Sequence, residues 1–323
     1  MVGCWARFGL FLALFPTVAV CLAPGSLELR GKVLVPEGYR HRVVVVTLFG
    51  VTTAYMSHQQ VLHNFGFKFS KLEPGPYTIG VSVRGLEEMR QTIEVSPGLA
   101  DRKGRVYVEM RLGGAARPGT GRTVSVRLLS VPQKARELYR RAVASLGRRD
   151  VPGAVTLLEQ AVDQAPQFAE ALNTLGTIYN QKKDFPKAEG YFREALQKDP
   201  EAYAPLVNLG GVLLAQRSLA EARTHNEKAV ELRPDDALAR CQLGWVYLEM
   251  GELDKAMPQF QEAKRLDPGH FSRPQLGLAD IYARRSQPAQ AVAELEDYLR
   301  RHPDDPEAPR IREEITRLRT GPK

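Results

Sequence analysis

The sequence predicts a multidomain chain, all-β in front and all-α behind, in which a small antiparallel β-sandwich precedes an α-solenoid. Three observations carry that expectation. Prolines recur 34 residues apart as Pro166, Pro200, Pro234 and Pro268, with Pro303 following at 35, and a fixed period of this size marks a stack of helical pairs. Aligned on those prolines, three interior positions are small in nearly every copy. They are Ala142, Ala154 and Ala161; Gly176, Ala188 and Ala195; Gly210, Ala222 and Ala229; Gly244, Ala256 and Ala263; and Ala279 and Ala291, with Tyr298 closing the series, so that fourteen of fifteen are Ala or Gly. Small side chains are needed where two antiparallel helices approach most closely. The third observation is a change of period, because residues 27–112 alternate apolar and polar as half-buried strands do.

The chain opens on Arg7 and an apolar run from Phe8 to Ala23, broken only by Pro16 and Thr17 and followed by Pro24, Gly25 and Ser26. A short positive region before an apolar core of this length reads as a secretory signal over residues 1–23. An exported protein, periplasmic or envelope-associated, is the expectation. The alternatives are an uncleaved membrane anchor and a lipoprotein acylated at Cys21, although Val20 stands where bacterial lipoprotein signals place a small residue. Beyond this segment the only cysteine is Cys241, so no disulfide within the exported chain is expected.

Residues 27–112 contain short runs rich in Val, Ile, Tyr and Phe: 29–35, 42–49, 65–69, 77–83, 91–95 and 105–112. Tyr77, Ile79, Val81 and Val83 alternate with Thr78, Gly80, Ser82 and Arg84, as one buried strand face demands. Six or seven such runs predict a sandwich. Phe65-Gly66-Phe67-Lys68-Phe69 and Leu72-Glu73-Pro74-Gly75-Pro76-Tyr77 resemble a segment of carboxypeptidase regulatory-like domains, and Gly31-Lys32-Val33 resembles that family's opening strand. The resemblance implies an accessory sandwich without catalysis of its own. Pro-Gly supplies a tight turn, and Phe67, Phe69, Leu72 and Tyr77 can then share one core. His58 and His63 fall in a stretch without regular pattern and read as solvent-exposed loop residues.

Residues 113–134 form a linker. Its Gly113-Gly114-Ala115-Ala116-Arg117-Pro118-Gly119 start reads as a hinge by composition, and Thr123–Val131 alternates as a short strand. Five helical-pair repeats follow over residues 135–305, and residues 306–323 carry Ile311, Ile315 and Leu318 as the stripe of a capping helix. Asp150, Asp184 and Ser218 stand at the turn inside a repeat, where a side-chain oxygen can cap the second helix. Asn226 replaces the Phe that stands at residues 192 and 260 in the neighbouring copies.

The period, the small positions and the large residues between them (Leu172, Leu175, Tyr179 and Phe192 in one copy) resemble the tetratricopeptide repeat family. That resemblance implies a right-handed solenoid whose concave face holds a partner protein or peptide. The first helix of each pair lines that face. The candidate contacts are therefore Asn173, Thr177, Asn180, Asn208, Leu214, Gln242, Trp245 and Arg273, with Trp245 as an aromatic anchor or as packing between repeats. The Lys and Arg clamp by which chaperone-type members hold a C-terminal carboxylate is missing from the matching positions.

Charge and motifs narrow the function further. The net charge is +8, but residues 135–323 hold 28 basic and 29 acidic side chains, so the array offers no basic stripe for a phosphate backbone and no nucleic acid is expected. No Gly-x-Ser-x-Gly elbow or phosphate-cradling loop is present, and His225, the nearest to a His-x-x-Glu pair, is followed by Lys228 in the acidic place. The expected protein is not an enzyme and takes no cofactor or metal. It is a protein-binding scaffold of the bacterial cell envelope, or alternatively a glycan- or envelope-binding module in which the sandwich reads and the repeats space.

Overall fold

The computed structural model describes residues 27–35, 43–51, 54–61, 65–83, 89–101, 103–112 and 131–320. The signal, the Cys21 position, His63 and all but the last residue of the strand expected at 123–131 lie outside the described residues. Among the described residues seven strands come first: β1 (Leu27–Leu34), β2 (Val44–Gly50), β3 (Met56–Val61), β4 (Gly66–Leu72), β5 (Gly75–Val83), β6 (Met89–Val95) and β7 (Arg105–Arg111). They form a three-stranded sheet in the order β4-β1-β7 and a four-stranded sheet in the order β3-β2-β5-β6. Every pairing is antiparallel except β1 with β7, which run parallel. The antiparallel expectation is corrected at that one pair.

Alternation fills the space between the sheets. Leu29, Val46, Leu48, Phe67, Phe69, Leu72, Tyr77, Ile79 and Val81 all face one buried core. Tyr77 keeps its hydroxyl satisfied by donating to the Glu73 carbonyl at 3.0 Å, which closes the Pro-Gly turn. Gly31 is needed where it stands, because a Cβ there would lie 2.3 Å from the Phe67 ring and 2.7 Å from the Val108 carbonyl oxygen. One strand is not legible in the sequence: β3 (MSHQQV) is polar, lies at a sheet edge and carries His58 exposed on the strand rather than in a loop.

Eleven helices follow among the described residues: α1 (Gln133–Gly147), α2 (Val151–Gln164), α3 (Ala169–Gln181), α4 (Phe185–Lys198), α5 (Tyr203–Ala215), α6 (Leu219–Leu232), α7 (Ala237–Glu249), α8 (Leu253–Leu266), α9 (Pro274–Arg284), α10 (Pro288–Arg301) and α11 (Ala308–Thr320). Each pair closes on its small residues. Ala154, Ala161, Ala188, Ala195, Ala222, Ala229, Ala256, Ala263 and Ala291 are all fully buried. A Cβ on Gly176 would meet the Phe192 ring at 2.6 Å, and one on Gly244 would meet Phe260 at 2.9 Å.

Inside each repeat the chain reverses through a left-handed residue. Arg149, Lys183, Arg217, Gly251 and Ser286 occupy this place, with φ between 56° and 79°. Asp150 and Asp184 then cap the second helix by accepting from Gly153 and Lys187 backbone N–H groups, whereas Ser218 makes no side-chain cap. At the far end Tyr298 fills the place of the missing small residue, because the next element is α11 rather than another pair. Ile311 and Ile315 of α11 pack beside it.

Candidate partner-binding groove

Successive first helices touch one another, α3 with α5, α5 with α7 and α7 with α9, while successive second helices stand farther apart. The first helices therefore line the narrow, concave side. Three of the expected groove residues are brought together there. Asn208 of α5 donates its side-chain amide to the Asn173 carboxamide oxygen of α3 at 3.0 Å and to the Thr177 hydroxyl at 3.5 Å. Gln242 of α7 continues the row, with its amide nitrogen 2.6 Å from where a Gly211 Cβ would stand. Gly211 is what lets that side chain lie flat on α5, and the Gln242 carbonyl oxygen is buried without a partner among the described residues. Asn180 is half-buried one turn beyond Thr177.

The other candidates sit differently. Leu214 is buried in a cluster with Phe192, Leu209 and Val246. Trp245 is half-buried, donates its indole N–H to the Ser272 carbonyl at 2.9 Å and meets the Phe260 ring edge-on at 5.1 Å. The Cys241 thiol donates to the same carbonyl at 3.3 Å, and burial pushes its pKa up to about 12. Arg273 stands at the N-cap place of α9 in a left-handed conformation and turns its guanidinium to Asp305 and Glu307, 3.3 and 3.6 Å away. These three join neighbouring elements of the array.

The sandwich is tied to the array at two places, one toward each end of this row of helices. At one rim Gln181 of α3 donates to the Gly50 carbonyl at 3.1 Å, Arg149 donates to the Lys71 carbonyl at 3.0 Å and pairs with Glu73, and Met56 packs into the first repeat. At the other rim the Asp267 carboxylate accepts from the Thr92 backbone N–H at 2.8 Å, Asp304 accepts from the Gly98 N–H at 2.8 Å, and His302 lies 3.8 Å from Glu94. Burial raises the Asp267 pKa, opposed by the N–H groups of Thr92 and Gly269. Between the rims burial also raises the pKa of the Tyr203 hydroxyl, at the start of α5, while the nearby charges of Arg233 and then Arg90 of β6 oppose it. The contacts between sandwich and array join residues 76 to 208 positions apart, which is why no local pattern announces them.

Among the described residues no three His, Cys, Asp or Glu side chains converge to hold a metal, and no helix is long and apolar enough to cross a membrane. Tetratricopeptide repeat family profiles match residues 139–203, 201–268 and 247–315. The helical array belongs to the tetratricopeptide repeat family. No curated protein matches the chain. Similar solved structures include YrrB, described as a tetratricopeptide repeat protein with an unusual peptide-binding site (25% identity, 55% of this chain, 92% of that one, TM-score 0.46). Others are TTC0263, a thermophilic tetratricopeptide repeat protein of Thermus thermophilus (21%, 57% and 100%, 0.46), and PilW, a type IV pilus biogenesis factor (19%, 58% and 92%, 0.49). Tetratricopeptide repeats are protein-interaction modules, and this chain carries a protein–protein interaction scaffold.

Proposed function

We propose that the chain is a non-catalytic scaffold of the bacterial cell envelope that holds an extended segment of a partner protein on the first-helix face of its repeats. The observation that carries this reading is the amide row Asn173, Asn208 and Gln242, which crosses three consecutive first helices and stays partly open to solvent. Carboxamides at this spacing can meet a peptide backbone, whose N–H and C=O groups need one partner each. Thr177, Asn180 and the half-buried Trp245 extend the same surface, with Leu214 packed beneath α5 and Arg273 at the start of α9. The envelope setting rests on the apolar run of residues 8–23, and the sandwich is read as a carboxypeptidase regulatory-like accessory domain.

The test is capture from envelope extract by the full-length chain and by an Asn173→Ala, Asn208→Ala variant of matched thermal stability. Loss of a defined partner from the variant supports the groove, and an unchanged set of captured proteins removes it. The rival reading is favoured by a cleft of about 750 Å³ on the outer face of the three-stranded sheet, lined in part by Arg30, Lys32, Lys68 and the 60%-exposed Tyr107. Retention of an anionic envelope polysaccharide that is lost on Tyr107→Ala would shift the function to the sandwich.

A further inference from the structure

We infer that the β-sandwich is the groove's own occupant, a cover that must lift from the first-helix face before an outside protein segment can bind there. This deepens the scaffold reading and rests on it. The joint has the composition of a contact that opens. The sandwich core and the repeat cores are separate clusters, and among the described residues Ala54 and Met56 alone cross from the sandwich into a repeat cluster. The rest of the joint is polar, and polar joints between domains leave relative motion as the default. Residues 113–130, between Leu112 and Val131, can span up to about 60 Å when extended, so the sandwich can leave without unfolding.

The surface between the tied rims is also the one that would bind. Thr177 lies one helical turn before Gln181, which holds the sandwich at one rim, and Asn208 lies on α5, between the repeats that carry Gln181 and Asp267. The amide row is thus between the tied rims, and the Gln242 side-chain oxygen has no partner there among the described residues. A partner strand able to supply an N–H there gains a hydrogen bond the sandwich does not make.

Two amides report the opening directly. The Thr92 N–H points from the edge strand β6 to Asp267, and the Gly98 N–H points to Asp304, so both are shielded by carboxylates of the array. A covalent lock is available at the same place. A Cβ on Gly98 would lie 3.0 Å from the Asp304 Cγ, and the glycine's φ is not in the left-handed region, which suits a Gly98→Cys, Asp304→Cys disulfide.

The experiment uses the full chain in three forms: unlocked, the double-cysteine variant oxidised, and the same variant reduced. Thr92 amide exchange is followed in each, and a Thr177→Cys substitution added to each reports N-ethylmaleimide labelling by peptide mapping. The expected result is Thr92 exchange and residue-177 labelling roughly ten-fold or more slower in the oxidised form, and faster in the reduced form than in the unlocked chain, as a subglobal opening requires. Thr92 exchange as slow as the β5 core amides in the unlocked chain would make the cover permanent and overturn the inference. So would labelling at residue 177 that ignores the lock, because the sandwich would then move without covering the groove. Gating that holds while the Asn173→Ala, Asn208→Ala variant still captures every partner would instead fault the groove reading alone.

Discussion

The Ser272 carbonyl receives two donors, the Trp245 indole and the Cys241 thiol, and it is presented to them by His270, whose Nδ1 accepts the Ser272 backbone N–H at 3.2 Å. That acceptor role requires an unprotonated Nδ1, and burial drives the His270 pKa down to about 3 from an ordinary 6.5. The unfolded chain therefore takes up the proton first as pH falls below about 6.5, and the folded state loses stability progressively until about pH 3. At about pH 5 the loss is on the order of 2 kcal/mol. His270→Asn keeps an acceptor and removes the titration, so denaturant melts at pH 7 and pH 5 should converge for the variant; an unaltered pH slope would sink this account. Trp245 separates in the same way. Trp245→Phe should cost about 1 kcal/mol for the lost hydrogen bond, and Trp245→Ala about 3–5 kcal/mol for the vacated packing. If Trp245→Phe leaves stability unchanged yet abolishes partner capture, the side chain is an anchor rather than a brace. Its place on a first helix is legible from the 34-residue period. Its partner is not, because Ser272 arrives only through the one-residue insertion that lengthens the last interval to 35.

At the scale of elements, the third repeat shows what a single replacement does inside a regular pattern. Gly210 stands opposite Asn226 as Gly176 stands opposite Phe192, so a Cβ on Gly210 would lie 2.5 Å from the Asn226 oxygen. Asn226 is fully buried, donates its amide to the Ala222 carbonyl at 2.8 Å, and its own oxygen has no partner among the described residues. A buried acceptor without a partner costs about 1–3 kcal/mol. Asn226→Leu, close in size and free of that penalty, should raise the stability of the array by about 1–2 kcal/mol in a urea melt; a lower midpoint would mean the amide is satisfied in solution. The helical elements are legible because the small and large positions repeat in register with the closest helix–helix approach. The sandwich is legible wherever a strand buries alternate residues. β3 is not, since this edge strand carries Ser, His and Gln and leaves no apolar alternation to read. The Ser218 cap fails for a local reason: the residue holds the N-cap place, but its hydroxyl does not reach the helix N–H groups.

For the molecule as a whole, the relation between its two parts is hidden from the sequence. Backbone N–H groups such as those of Thr92 and Gly98 carry no residue signature, and the aspartates that receive them look like ordinary turn residues of a repeat. The consequence concerns cooperativity. In a solenoid each repeat contacts only its neighbours, so stability is approximately a sum of repeat terms and nearest-neighbour terms. Here the sandwich contacts Arg149 and Gln181 in the first two repeats and Asp267 and Asp304 in the last two. It bridges the array from end to end and adds a coupling that stacking alone lacks. Cutting one rim should expose the solenoid's own behaviour. In an Asp267→Ala, Asp304→Ala variant, the last repeats should unfold at lower urea than the first two, with helical signal lost in two steps or one broadened step. The unaltered chain should lose it in a single sharper step. Residue-resolved exchange along α9 and α10 would show the same, rising in the variant while α3 and α4 stay protected. One transition of unchanged midpoint and slope in both proteins would mean that the sandwich rests on the array without coupling its ends.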